Sequence, residues 1–380
     1  MSEPRVLVLH NRYRHEGGEE RAVDLQLAAF RRAGITHAPL VRDSGEAARA
    51  RAGAALLRGG ERPGDVAAAV RAIEANVVHV HNMNPLFGPR SLRAARDAGA
   101  RVVLHLHNFR LFCSIAVAFR DGATCFRCSR RFTLPGLVLN CRGSLPESAA
   151  YSTALALHQP AVLDAVDRFV TPSRFAAEQL TRLGLPAERL EVIPNYVPEA
   201  APASPADGGY ALMAGRLSVE KGAGVAVGAA LQSGVPLRVV GDGPLAPELL
   251  ALVDGGDAPV ELLGRVPAER VARLLAGAAM AVVPSVGPEV MPYAALEAMA
   301  AGVPVVASDT GSLPEILGPD RCVARRDAGA LGAAMQRLWE DPDLCAREGR
   351  ALRERVRERY SEERHVRDLR ALYERVQTQA

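Results

Sequence analysis

The sequence predicts an α/β protein built from two doubly wound parallel-sheet domains, and three observations carry that expectation. Short apolar runs of strand length alternate with longer amphipathic stretches through both halves of the chain. The alternation pauses once, at residues 199–209, where Pro, Ala and Gly dominate as they do in linkers, and then restarts. A length of 380 residues also suits two domains, each able to bury its own core. The expected divisions are residues 1–200, carrying an insertion at 109–142, then residues 201–355, then a terminal helical segment at 356–380.

Composition narrows the function classes. Hydrophobic residues make up 48% and charged residues 23%, and the net charge of +3 is too near balance to imply a nucleic-acid partner. The apolar run at residues 6–9 is one strand long and too short for a secretory signal, and no stretch reaches the roughly 18 apolar residues of a membrane span. The expectation is a cytoplasmic protein, with peripheral contact to the cytoplasmic face of a membrane left open.

In chain order, residues 6–9 read as a strand and 18–32 as a helix, with Ala22, Leu25, Leu27, Ala28 and Phe30 giving most of its apolar face. Between them runs His10-Asn11-Arg12-Tyr13-Arg14-His15-Glu16-Gly17-Gly18. A Gly pair opening a helix lets backbone N–H groups approach an anion at the positive helix end, and it equally suits a plain turn. The nicotinamide-type Gly-x-Gly-x-x-Gly is absent. Two further strands, near 77–82 and 102–108, each end in His-Asn. Alternation puts His79 with His81, and His105 with His107, on one face.

Residues 109–142 break the rhythm. They hold five of the nine Phe and six Arg against one acid, Asp121. Cys113, Cys125, Cys128 and Cys141 also fall there, a set compatible with a structural four-thiolate zinc or with free thiols. The basic, aromatic character suits an anionic or lipid-linked acceptor and equally a solvated loop. A helix at 145–166, a strand at 169–173, a helix at 174–183 and a strand from 190 complete this half.

The second half opens with a strand at 210–214 and the loop Gly215-Arg216-Leu217-Ser218-Val219-Glu220-Lys221-Gly222. Lys221 is the only lysine among 46 Lys and Arg residues, and a compact ammonium reaching a phosphate is a task that a planar guanidinium does not reproduce. Arg216 and Lys221 can clamp a diphosphate from two sides across a strand-to-helix turn. Strands at 237–240 and 260–266 follow. Then a strand at 280–285 leads to Glu289-Val290-Met291-Pro292-Tyr293, with Pro292 suited to a first helical turn and Glu297 about two turns beyond Glu289. A strand at 303–308 closes a βαβ unit, and open α/β sheets bind ligands in the loop after such a strand. From residue 331 the chain reads as helices with a solvated Arg/Glu face.

Glu289, seven residues, Glu297, then Ala-Met-Ala-Ala-Gly-Val-Pro-Val-Val-Ala-Ser resembles the donor-site signature of the family 4 retaining glycosyltransferases. The resemblance runs from residue 6 to about 316 and implies a GT-B architecture, two Rossmann-like domains facing a cleft, with the terminal helix crossing back to the first. It implies transfer of a sugar, with retention, from a nucleotide-diphosphate sugar to a small-molecule, glycan or lipid-linked acceptor, most often in cell-surface polysaccharide or glycolipid assembly.

By the same resemblance Arg216, Lys221, Gly17 and Gly18 hold the donor diphosphate. Glu289 orients the sugar beside residues Val290, Met291, Pro292 and Tyr293, and Glu297 takes the ribose diol. His107, with Glu289, is a catalytic candidate. Catalysis would need no metal. Asn108 stands where relatives carry Asp, and Pro292 where they carry Gly, which removes one N–H donor. A natural-product glycosyltransferase, a sugar-nucleotide epimerase and a non-catalytic nucleotide-sugar sensor remain alternatives.

Overall fold

The computed structural model describes residues 3–13, 17–199, 209–253 and 259–378. Arg14, His15 and Glu16 of the first loop, and residues 200–208 of the linker-like stretch, lie outside the described residues. The first strands are β1 (Arg5–Arg12), β2 (Thr36–Asp43), β3 (Val77–Val80), β4 (Arg101–His105), the hairpin pair β5 (Phe119–Arg120) and β6 (Ala123–Thr124), β7 (Arg168–Thr171) and β8 (Leu190–Val192). There follow β9 (Ala211–Ala214), β10 (Leu237–Val240), β11 (Val260–Gly264), β12 (Met280–Val283), β13 (Val305–Ser308) and β14 (Cys322–Val323). Two compact units emerge. One comprises residues 1–118, 125–195 and 362–380, the other 119–124 and 196–361.

The first unit holds a parallel sheet in the order β2-β1-β3-β4-β7-β8. Its central strands are buried on both faces, which is why 77–80 reads as an unbroken Val-rich run around His79. Val8 pairs with His79, and Val80 with Leu104. One step further along the same register, His10, His81 and His105 form a row across β1, β3 and β4 on one face of the sheet. The helices Gly18–Arg32 and Glu362–Thr378 pack together there, with Phe30 against His37 and Tyr373, and Tyr373 against His79. The expected terminal segment is two helices, Pro342–Arg359 and Glu362–Thr378, because the chain breaks at Tyr360.

The second unit repeats the plan in the order β11-β10-β9-β12-β13-β14, again all parallel. Strand alternation splits its core in two. Leu212, Ala281, Val283 and Val305 pack on the helices Tyr293–Ala301 and Pro342–Arg359. Ala211, Met213, Met280 and Val306 pack on the helices Ala223–Ser233 and Ala328–Trp339. Strand order reverses between β9 and β12, so their carboxyl ends flank a topological switch point, the place where such sheets bind ligands. Among the described residues no helix is long and apolar enough to cross a membrane.

Candidate active site

The loops after β9 and β12 bring Lys221 and Glu289 together. Lys221 ends a single 3-10 turn, Val219–Lys221, and its Nζ lies 2.6 Å from Glu289 Oε1. Ser285 Oγ donates to the same oxygen at 2.5 Å. A buried carboxylate thus takes two donors on one oxygen, one of them charged, the stronger class of hydrogen bond.

The loop backbones are locked around this contact. The amides of Val286 and Gly287 both donate to the Glu220 carbonyl at 2.9 Å, and Ser312 N donates to the Glu289 carbonyl at 2.8 Å. Gly311 sits at φ +61°, where a Cβ would stand 2.2 Å from Glu289 O and 2.3 Å from Glu289 N. Gly222, at φ +72°, approaches the Pro284 carbonyl as closely. No side chain fits at either place, so glycine sets the position of both charged loops.

Arg216 stands apart from the pair. It is exposed, and its nearest carboxylate is Glu220 at 3.9 Å. Val290 and Met291 are buried. Pro292 is the residue capping the helix Tyr293–Ala301 and not, as its sequence position suggests, part of the first turn: at ψ 124° its backbone is extended and the helix starts one residue later. Glu297 lies half-buried in the second turn of that helix.

In the first unit, Gly17 caps the helix Gly18–Arg32, and its N–H donates to Glu20 Oε2 at 2.9 Å, while Tyr13 N donates to Glu20 Oε1 at 3.0 Å. A carboxylate of the chain itself therefore takes the Gly17 amide, the group expected to meet a diphosphate. His107 lies two residues past β4, half-buried, with Nε2 2.8 Å from His81 Nδ1 and its ring stacked 4.1 Å from that of His105. Burial, then the nearby His10 and His365, pushes its pKa down to about 3, so it is a neutral imidazole across the physiological range.

The comparisons with known proteins come to the same place. Residues 5–196 match the family described as "Glycosyl transferase 4-like domain", and residues 209–341 match "Glycosyl transferases group 1". The chain belongs to the family 4-type glycosyltransferases of GT-B architecture. It is similar to the exopolysaccharide phosphotransferase SCO2592 of Streptomyces coelicolor, 37% identical over 43% of this chain and 18% of that protein. It is also similar to the colanic acid biosynthesis glycosyltransferase WcaL of Escherichia coli, described as putative, at 31% identity over 52% of this chain and 53% of that one. The chain spans about half, or less, of the length of these curated relatives. Among solved structures it shares its fold with Anabaena Alr3699/HepE in complex with UDP and glucose, at TM-score 0.66 and 15% identity, covering 98% of this chain and 100% of that one.

Several residues of this chain escape sequence reasoning. Ser285 lies buried two residues past β12 and four before Glu289, and only that spacing hints at its role. Asn108 Nδ2 donates to Glu19 Oε2 at 3.0 Å, and Tyr13 Oη donates to the same oxygen at 2.8 Å, with Arg110 over the Tyr13 ring at 5.0 Å. A carboxylate missing from position 108 is thereby supplied beside it by Glu19, whose pKa burial raises.

The cysteines are free and lie near one another. Burial and the three neighbouring thiols push Cys128 up to about 11, and the amides of Ala118, Ile115 and Ala116 point at the Cys113 sulfur. Among the described residues the ligand-type atoms found within 4.8 Å of one another belong to His79, His81 and His105, and include no cysteine trio. The His81 ring stacks on those of His79 and His105, at 21° and 22°, and the His79 ring is tilted 43° from that of His105. His79 spends its nitrogens on Tyr373 Oη at 2.6 Å and His105 Nδ1 at 3.3 Å.

Proposed function

We propose that the chain transfers a sugar, with retention of anomeric configuration, from a nucleotide-diphosphate sugar to an organic acceptor in cell-surface polysaccharide or glycolipid assembly. The observation that carries this reading is the Lys221–Glu289 pair at the switch point of the second sheet. Departure of the nucleoside diphosphate builds negative charge on its phosphates, and an ammonium and a guanidinium on one loop are suited to receive it. In this reading the donor draws Lys221 Nζ onto a phosphate oxygen, and the released Glu289, still held by Ser285, accepts from sugar hydroxyls. Glu297 accepts from the ribose diol, a task for an acceptor-only group. Gly18, and Gly17 once Glu20 yields, add amides at the helix end.

Retention follows from same-face attack, the leaving phosphate accepting the acceptor's proton. His107, neutral and fixed by His81, positions sugar or acceptor. Catalysis runs on these cationic side chains without a metal. The curated relatives' polysaccharide setting, and UDP and glucose in the Anabaena neighbour, support the donor class. The remaining parts of the proposal are a cytoplasmic location, an acceptor presented at a membrane face, and a structural zinc held by Cys113, Cys125, Cys128 and Cys141, which would offset the burial and the neighbouring thiols that keep Cys128 protonated. Metal analysis of the purified chain reads the zinc directly: one equivalent lost on Cys125→Ser with Cys128→Ser supports it, and a metal-free native protein removes it.

The test of the activity is nucleoside-diphosphate release from a panel of UDP-, GDP-, ADP- and TDP-sugars with lipid-linked and soluble glycan acceptors, the product anomer being read by NMR. An α-linked product from an α-donor supports the proposal. Epimerised donor, or tight binding with no transfer to any acceptor, replaces it with the corresponding alternative.

A further inference from the structure

The insertion after β4 contains Phe119-Arg120-Asp121-Gly122-Ala123-Thr124. Asp-Gly between strand formers is a strong hairpin signal, because a two-residue type I′ turn needs positive φ at both central positions. The structure meets that demand, with Asp121 at φ +48° and Gly122 at φ +72°. Phe119 pairs with Thr124 and Arg120 with Ala123, and beneath them Cys125 N donates to Ala118 O at 2.8 Å. Residues 119–124 nevertheless belong to the second compact unit: the chain leaves the first unit after Ala118 and rejoins it at Cys125. Two paired residues a side are too few to hold a hairpin by themselves, so its form depends on what it docks against.

One end docks where Lys221 and Glu289 meet. Phe119 is buried, and its Cδ2 lies 3.3 Å from where a Cβ on Gly287 would stand; Glu220 Cβ lies 2.9 Å from the same point. A side chain at position 287 would displace one or both, so glycine there lets the ring and the loop close on each other. At this junction Glu220 O accepts the amides of Val286 and Gly287, one residue before Lys221 and two before Glu289. The Phe119 ring thus lies against the backbone that sets ammonium and carboxylate 2.6 Å apart.

The other end reaches the loop after β14. Arg325 Nη1 donates to Thr124 Oγ1 at 3.3 Å, and Arg326 Nη2 lies 2.6 Å from where a Cβ on Gly122 would stand. That loop is tied back to the Glu289 loop through the one after β13. Arg325 N donates to Asp309 Oδ1 at 2.9 Å, and Thr310 Oγ1 donates to Gly287 O at 3.3 Å. The hairpin therefore spans the loops after β12 and β14, along the carboxyl edge at which such a sheet takes its ligand. An aromatic ring supplies the largest apolar contact so short an element can make, and the Thr124–Arg325 bond sets its orientation.

We propose that the hairpin Phe119–Thr124 is a clasp on the donor loops, with Phe119 the positioning residue that holds the Glu220–Gly287 junction and, through it, Lys221 and Glu289 in place for the donor. The inference deepens the donor site of the proposed function and rests on that reading. Hydrogen exchange of the free protein needs no donor, so failure of the clasp and failure of the donor reading are distinguishable.

The experiment combines amide exchange of the full chain, read by mass spectrometry, with calorimetric titration of UDP-glucose, GDP-mannose, ADP-glucose and TDP-glucose. Phe119→Ala should speed exchange of the Val286 and Gly287 amides roughly tenfold and leave the core strand Leu237–Val240 unchanged. The donor that the wild type binds should lose affinity roughly tenfold, and Phe119→Leu, which refills most of the space, should recover most of both. Arg325→Ala with Arg326→Ala removes two exposed side chains, so the fold persists even where Phe119→Ala does not fold; it should speed the same amides about threefold. Unchanged exchange at residues 286–287 in the Phe119 and arginine variants overturns the inference. So does faster exchange across the whole unit, which would make Phe119 a general packing residue, and so does wild-type donor affinity in a variant whose amides have loosened. A wild type that binds none of the four donors removes the donor reading, and the inference falls with it.

Discussion

Acid should unfold the first unit before it touches the second, and the histidine row supplies the reason. His79 is completely buried, and burial, then the proximity of His107 and His365, pushes its pKa down to about 3. In the unfolded chain an imidazole titrates near 6.5, so below that pH the unfolded state takes a proton that the folded state refuses. Stability from this group is complete above about pH 6.5 and is lost as pH falls towards 3. At about 1.4 kcal/mol per pH unit, moving from pH 7 to pH 5 costs about 2 kcal/mol for His79 alone.

His81, His105, His107 and His365, held below their ordinary value chiefly by burial, act in the same direction. Glu19, held above its ordinary value by burial, opposes them, one group against five histidines. A unit of this size loses roughly 2–4 °C of melting temperature per kcal/mol, so a fall of about 10 °C or more is expected between pH 7 and pH 5. Calorimetry at both pH values reads it. The double variant His79→Phe with Tyr373→Phe, which removes the titrating ring and the hydroxyl it holds, should shrink the pH-dependent loss by about 2 kcal/mol. An unchanged pH slope in that variant, or a first-unit transition that ignores pH between 7 and 5, would refute the reasoning.

Other expectations concern the second unit. Ser285→Ala removes one hydrogen bond to Glu289 worth about 1 kcal/mol, and donor affinity measured by calorimetric titration should fall roughly fivefold with melting nearly unchanged. Gly311→Ala forces a side chain into a left-handed backbone and against Glu289 N and O, so it should cost about 2 kcal/mol or more and weaken donor binding through the displaced loop; a wild-type melting curve would contradict this. Lys221→Arg keeps the charge but not the compact head at the Glu289 contact, and turnover should fall at least tenfold, with recovery to wild-type rates the contrary result.

Much of this was legible in the residues because buried parallel strands announce themselves. Val77–Val80, Met280–Val283 and Val305–Ser308 are short, buried and mostly apolar runs, and the helix Gly18–Arg32 shows its apolar face at helical spacing. Strand β2, Thr36–Asp43, was not legible: it lies at the sheet edge, half-exposed, and its Pro39 and Arg42 break the pattern. At the site, the single lysine and the Glu spacing marked Lys221 and Glu289, but their mutual contact depends on two loops 68 residues apart. Local pattern carries no information on that distance. The Glu19–Asn108 bond was invisible for the same reason, whereas Glu20, three residues after Gly17, stands at the capping-box position of a local pattern.

The central claim is that a nucleotide sugar binds on Lys221 in the second unit, and thermal shift against UDP-, GDP-, ADP- and TDP-sugars, with Lys221→Ala alongside, tests it most directly. A donor at one hundred times its Kd stabilises by about 2.7 kcal/mol, roughly 5–10 °C for a unit of this size. The account predicts such a rise with one sugar nucleotide in the wild type and its loss in Lys221→Ala. A rise of equal size in both proteins, or none with any donor, would contradict it.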